Sequence, residues 1–483
     1  MGTSAPHVYS PILHELPRAF PRAAGLAKGD PELIDQCARL QAAARRFSDE
    51  HVRPYAADWD RRAGDDHTFV AWEAIRGALP YRFLSAVIPR AFGGLGQRLP
   101  AVAFMMEELC AADAGIANIF GAHNLGIVPL IYSLELDWFY RHLAEIADGE
   151  RAGTPVIFAL AYTEPEAGSD IEDEVHIHSA RLRTVAREVP GGYRVTGRKV
   201  FISNGSIARY AWASAITDPS RPVESTIQFV VPTNAAGFSV GRIEHKLGQR
   251  LCPAAELVFD DLFVPFSDCL GGKGSPIPLV KHALSMTRGP VGAIAMGIAR
   301  GAIERALAYL AEKRENGRWR FEAQWVQLAL ADMIGKLQSG RQLYFDAAMA
   351  VESCGFMKAL SPRLQDAMAA VPRPLLRASP LRGALSSRLV TGAMRAWLAH
   401  AVPERELDFV LGLASLAKQT CSDLAMDICR AAMRILGEDA CEPAWGVEKC
   451  LRDAKLTQIY EGTNEVNRLH VFRGLFAMEA REP

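Results

Sequence analysis

The sequence predicts an α+β chain, mainly α, in three successive regions, and two observations carry the prediction. The spacing of apolar residues changes from helical to strand-like and back again along the chain. The chain is also long enough, at 483 residues, to bury a large core, and its 49% apolar and 23% charged residues are those of a folded globular protein.

After a tail covering residues 1–28, a helical domain is expected over 29–155. Leu33, Cys37 and Leu40, and again Val102, Met105, Met106 and Leu109, recur every three to four residues, the period of a helix face. From 156 to 275 the pattern shortens to runs rich in Val, Ile, Phe and Tyr, parted by Gly, Asn, Asp and Pro. VIFALAY at 156–162, FISN at 201–204 and TIQFVVP at 226–232 are such runs, and Gly191 and Gly192 form a turn between two others. From 276 to 483 long amphipathic helices return, with Leu413, Leu416, Leu424, Ile428, Ala432 and Ile435 along one stripe. Four or five such helices predict an antiparallel bundle. An insert at about 354–403, with five prolines and seven basic residues, makes a long excursion between two of them.

Composition narrows the function classes. Fifty-four basic against fifty-five acidic side chains leave a net charge of −1, so no global field favours nucleic acid or anionic lipid. The nine cysteines include no CxxC pair, which points to reduced thiols in a cytoplasm and to no metal site. Gly115 to Leu134 carries no acidic or basic side chain over the length of a membrane span, but its Asn118, His123, Asn124 and Pro129 suit a pair of buried helical segments with a turn. The first 28 residues lack the continuous apolar run of a secretion signal, and a disordered or surface-draped tail is expected.

Four stretches hold the residues that carry chemistry. YTEPEAGSD, Tyr162 to Asp170, combines a small residue, a glycine and the hydroxyls of Thr163 and Ser169, so its backbone can approach a flat ring or a phosphate. GRKVFISNG, Gly197 to Gly205, is a strand that places Phe201 and Ser203 on one face by alternation. HKLGQRLCPAAELVFDDLFVP, His245 to Pro265, is a glycine turn followed by a strand and a closing proline. In CLRDAKLTQIYEGTNEV, Cys450 to Val466, a helix ends near Tyr460, Gly462 breaks it, and Thr463 caps the next helix with Glu465 in its first turn. Glu461 is thereby held at a junction. Taken singly these are as readily a loop turn, a half-buried strand, scaffold and a solvated glutamate.

Together, in this order and from about residue 30 to 475, the four stretches resemble the acyl-CoA dehydrogenase family. The resemblance implies an N-terminal helical domain, a middle β-barrel-like domain and a C-terminal four-helix bundle, with FAD between the last two. It places Tyr162, Thr163, Gly168 and Ser169 against the flavin, Ser169 also against the substrate's thioester arm, Phe201 at the dimethylbenzene edge and Ser203 near the flavin N5. Lys313, Arg314, Gln324, Arg434, Gly437, Thr463 and Glu465 fall at further cofactor positions, and Arg288, Tyr460, Glu461 and Gly462 at substrate positions. Glu461 takes the place of the catalytic base. Some relatives carry the base beside the arginine early in the first bundle helix; here Thr287 precedes Arg288 and cannot do that work.

The implied reaction is α,β-dehydrogenation of an acyl-CoA thioester, as in fatty acid metabolism, by a homodimer or homotetramer that passes electrons to an electron-transfer flavoprotein. An acyl-carrier-protein thioester, or reoxidation by oxygen, is the nearest alternative, and a catalytically degenerate binding protein is the alternative of another class. The chain departs from the family in two places. KRENG at 313–317 has Asn316 where relatives carry an aromatic, and the loop Arg434 to Glu438 loses a second glycine to a carboxylate beside the diphosphate. The insert, with Arg373, Arg377 and Arg382, suits oligomer packing or a solvent-covered excursion, the preferred reading, or a docking surface for an acidic partner, either an acyl carrier protein or the electron acceptor.

Overall fold

Helix α1 (Pro31–His51) begins where the sequence supplies both a cap and a first-turn proline. The Asp30 carboxylate accepts from the Leu33 N–H at 3.1 Å, and Pro31 occupies a position whose N–H has no intrahelical acceptor. The computed structural model describes residues 10–14, 20, 25, 28–173, 175–270, 280–359, 362–371 and 379–476. The N-terminal region continues through α2 (Leu99–Ala112) and α3 (Ala114–Ser133). The C-terminal region comprises α4 (Val280–Glu312), α5 (Gln324–Ser353), α6 (Arg388–Ala401), α7 (Glu404–Leu436), α8 (Val447–Thr457) and α9 (Asn464–Leu475), and shorter helical turns join these elements.

Between the helical regions lie β1 (Phe158–Ala161), β2 (Val185–Val189), β3 (Gly192–Ser203), β4 (Tyr210–Ile216), β5 (Thr226–Pro232), β6 (Phe238–Ile243) and β7 (Ala254–Pro265). They form one sheet in the order β1-β4-β2-β3-β7-β6, with β5 on β4. The β1–β4 and β2–β4 pairs are parallel; β2–β3, β3–β7, β4–β5 and β6–β7 are antiparallel. The fold class is thus α+β, mainly α, as the periodicity predicts.

Three expectations change in detail. Gly115 to Leu134 is a single helix running through Pro129, not two segments with a turn. The lost hydrogen bond is outweighed because Ile127, Val128, Leu130 and Ile131, around the proline, are all buried. This helix is long and apolar enough to span a membrane, yet 89% of its apolar window is enclosed by the fold. The buried stripe of α7 also differs. Leu413, Leu416 and Leu424 are half-buried, and the enclosed face runs through Ala414, Ala417, Cys421, Ala425, Ile428, Ala432 and Ile435. Small side chains there let α4 approach closely: a Cβ added at Gly292 would lie 3.3 Å from the Ala417 carbonyl oxygen. Of the described residues of the N-terminal tail, Leu13 and Phe20 are buried in the core, while Gly25 and Lys28 are exposed.

A buried ionic cluster fastens α2 to the bundle. Arg300 meets Glu108 with two hydrogen bonds of 2.7 and 2.9 Å, and Arg341 donates to Glu107 at 3.1 Å, where the Tyr344 hydroxyl also donates at 2.6 Å. The insert leaves the bundle after α5 and returns at α7. Its Arg395 donates to the Ser133 carbonyl at 2.9 Å and to Glu135 at 3.0 Å, and Arg382 donates to Asp137 at 2.9 Å. Both arginines are thus spent on packing against the end of α3; Arg373 and Arg377 lie outside the described residues.

Candidate active site

The chain between α8 and α9 is forced into two consecutive left-handed residues. Glu461 has φ 56° and Gly462 φ 77°. For glutamate that conformation costs about 1–2 kcal/mol and persists only where surrounding groups hold it. Arg288 Nε donates to the Glu461 carbonyl at 3.1 Å, Lys418 Nζ to the Gly462 carbonyl at 2.6 Å, and Asn467 Nδ2 to the carbonyls of Gly462 and Thr463, each at 2.9 Å. Thr463 caps α9, as expected, and its N–H donates to Ser169 Oγ at 3.1 Å. That bond ties the first sequence motif to the fourth.

The clamp aims the Glu461 carboxylate into a cavity of about 440 Å³. Thr287 Oγ1 donates to its Oε2 at 2.8 Å, so the two side chains meet at the cavity wall. Burial pushes the carboxyl up to about 7, the neighbouring Glu172 charge adds to the rise, and Thr287, Arg288 and Lys418 oppose it. A carboxylate at that value matches a general base working near neutrality. Burial, with the Arg288 charge next, pulls the Lys418 ammonium down to about 7.

Tyr162, Thr163, Gly168, Ser169, Phe201, Ser203, Thr287, Tyr460, Glu461, Gly462 and Thr463 all line this one cavity, whose apolar end is closed by Leu99, Val102 and Met106 of α2 and by Leu125 and Val128 of α3. Phe201 and Ser203 share it, exposed and half-buried on either side of Ile202, which is buried in the core. The β3–β7 register shifts between Lys199 and Ile202, and Phe201 adopts φ 58° there, which turns its ring outward to 62% exposure. The third motif supports the fourth: Gln249 Nε2 donates to the Asp453 carbonyl at 3.0 Å and to the Tyr460 hydroxyl at 3.2 Å, fixing the tyrosine.

Several predicted site residues lie elsewhere. Arg288 is fully buried behind the Glu461 backbone and faces the turn, not the cavity. Glu465 points to solvent on the first turn of α9. Lys313, Arg314, Gln324, Arg434 and Gly437 lie where α4 and α7 end and α5 begins, and none of them lines the cavity. There Lys313 pairs with Asp439 at 2.6 Å and Arg314 stacks on Trp319. Their positions follow from sequence correspondence, while the fold of one chain separates them from Glu461.

Sequence reasoning missed four supports. Lys199 and Glu164 form a buried pair at 2.8 Å; Lys199 also donates to the Tyr162 carbonyl at 3.1 Å, and Glu164 accepts from the Thr184 N–H at 3.0 Å, so together they hold the first motif. Lys418 was detectable as a lone cation on the enclosed face of α7. Glu172, in the acidic run IEDE, gave no such signal. It lines both this cavity and a neighbouring one of about 920 Å³ that Leu398 and Val402 of the insert help to wall.

Comparison with known proteins agrees with this arrangement. Residues 35–149, 159–262, and 274–368 with 386–476 match the N-terminal, middle and C-terminal domains of acyl-CoA dehydrogenases, in that order. The chain is 28% identical over 434 residues to a short-chain-specific acyl-CoA dehydrogenase of Clostridium acetobutylicum, covering 89% of this chain and 96% of the relative. It superposes on butyryl-CoA dehydrogenase from Megasphaera elsdenii with a TM-score of 0.73 at 25% identity, covering 91% and 98% of the two chains. A prolyl acyl carrier protein oxidase shares the fold at 20% identity, with a TM-score of 0.70 over 91% of this chain and 98% of the other.

Proposed function

Because this chain belongs to the acyl-CoA dehydrogenase family, whose three domains it matches in order, we propose that it desaturates an acyl thioester between Cα and Cβ, with Glu461 as the base and FAD as the redox cofactor. The observation that carries this reading is the Glu461 carboxylate, held in a strained turn and aimed into a cavity that the other motifs also line. The lining suits a flat ring with apolar faces and polar edges. It offers the outward-turned Phe201, open space beside Gly168, and the hydroxyls of Thr163, Ser169 and Ser203.

The chain's own residues do the following. The apolar wall from α2 and α3 takes the acyl chain and excludes water, which strengthens every electrostatic contact at the reacting carbons. The Glu461 carboxylate removes one α-proton, and its backbone N–H serves the thioester carbonyl, where negative charge develops. Thr287 fixes the carboxylate that takes the proton. When bound, FAD supplies the hydride acceptor for Cβ, so that the products are the trans-2-enoyl thioester and reduced cofactor. Electrons then leave to an electron-transfer flavoprotein. The group around Lys313 and Gly437, with the exposed Trp325 and Leu328 beside it, faces a second copy in a homodimer or homotetramer.

Anaerobic titration of the flavin-loaded protein with CoA and carrier-protein thioesters of several acyl groups tests the reading. At least one thioester is expected to bleach the flavin; a flavin left oxidised by every one contradicts the proposal. The pH dependence has a set sign. The base acts as the carboxylate, so the rate of flavin reduction rises with pH through about 7 and levels off above it. A rate that falls over that interval would contradict the assignment.

A further inference from the structure

Glu172 is a half-buried carboxylate for which neither the sequence motifs nor the mechanism above has a use. It follows the first motif on a short helical turn, Ser169–Glu172; its Oε2 accepts from Arg288 Nη2 at 3.0 Å, and the Gly462 N–H donates to the carboxylate. The packing there is tight: a Cβ on Gly462 would lie 2.7 Å from Glu172 Oε2 and 2.8 Å from Arg288 Nη2. The rest of the Arg288 guanidinium is taken by neutral acceptors. Nε donates to the Glu461 carbonyl, and Nη1 to Ser415 Oγ at 2.8 Å and to His470 Nδ1. Burial drives His470 down to about 3, so it meets Arg288 as neutral imidazole.

Arg288 therefore touches the backbone of the base residue while its charge is answered elsewhere. Without a counter-carboxylate, a buried guanidinium so close to Glu461 would stabilise the carboxylate form and weaken the base. We propose that Glu172 is a positioning residue for the reaction: it takes up the charge of Arg288, so that Arg288 can hold the strained Glu461 turn without acidifying the Glu461 side chain. This rests on the reading of Glu461 as the base.

Other charged groups near the pair have partners of their own, and Lys281 of α4, which shares the neighbouring cavity with Glu172, pairs with Glu404 and Asp408. Lys418 from α7 is engaged by the Gly462 carbonyl and Asn464. Asp173, next to Glu172, is paired with Arg473 of α9 and with His176, and Asp423 accepts from Gln458 and Asn464. Thr287 from α4 and Tyr460 beside the base carry no charge at neutral pH. After burial, the Glu172 charge does most to lift Glu461.

The test is the pH profile of anaerobic flavin reduction by a bleaching thioester in the parent, E172Q and E172D. Glutamine keeps an oxygen for Arg288 and Gly462 and removes only the charge. The midpoint in E172Q is expected to move to the acid side by about one pH unit, and E172D, which restores the charge, is expected to return toward the parent. An unmoved midpoint in E172Q overturns the proposal. So does a failure of E172Q to fold or to bind flavin, because the charge would then be structural. A profile with no step near neutrality in the parent itself would count against Glu461 as the base and not against Glu172 in particular.

Discussion

Glu461→Gln is expected to slow reduction of the flavin by acyl thioester about 10²- to 10⁴-fold, the range over which a positioned general base contributes. The substitution is nearly isosteric, and the turn that carries it is held through main-chain carbonyls by Arg288, Lys418 and Asn467, none of which contacts the side chain that changes. Thr287 can still donate to the amide oxygen at the 2.8 Å position it now serves. Flavin content and thermal midpoint should therefore stay close to those of the parent while the reductive half-reaction collapses. Rapid mixing under nitrogen checks this, and a variant that bleaches its flavin at the parent's rate would remove Glu461 from the chemistry.

Arg300→Met is expected to destabilise the fold by about 3–5 kcal/mol, the usual result of leaving a buried charge without its partner. Arg300 is fully enclosed and answers three carboxylates: Glu108 at 2.7 Å, Glu304 at 3.0 Å and Glu107 at 3.5 Å. Methionine fills much of the volume and none of the charge. Arg45, which also donates to Glu108 at 3.1 Å, offsets only part of the loss. The effect reaches the site through α2, whose Leu99, Val102 and Met106 close the apolar end of the cavity. A lower urea midpoint together with weaker flavin retention is the expected pair of results, and an unchanged midpoint would mean that the cluster contributes nothing to stability.

The parts of the molecule that were legible in the sequence are those whose cause is local. Helical and strand periods, the Thr463 cap and the glycine break after Glu461 depend on neighbours a few residues away, and the structure has them where the spacing puts them. The shared cavity of the motifs depends on the fold, and only the resemblance of their ordered set pointed to it. What was not legible depends on partners far along the chain. Arg288 reads as a substrate contact until α9 and the first motif are folded around it, where it becomes the anchor of the Glu461 turn. Glu172 reads as one of several solvated acids in IEDE until Arg288 meets it from 116 residues away. Pro129 looks like a break in isolation, and burial of its neighbours carries the helix through it. Alternation put Phe201 and Ser203 on either side of the buried Ile202, but the register shift and the left-handed backbone of Phe201 leave no local signature beyond the strand itself.

Removal of the α-proton by the chain is the step on which the account depends, and isotopic substitution addresses it most directly. The flavin-loaded parent, mixed anaerobically with a thioester that bleaches it, is compared with the same thioester carrying deuterium at Cα alone. Slower bleaching by the α-deuterated compound at saturating concentration is the predicted result. Equal rates of bleaching for the two compounds would contradict it.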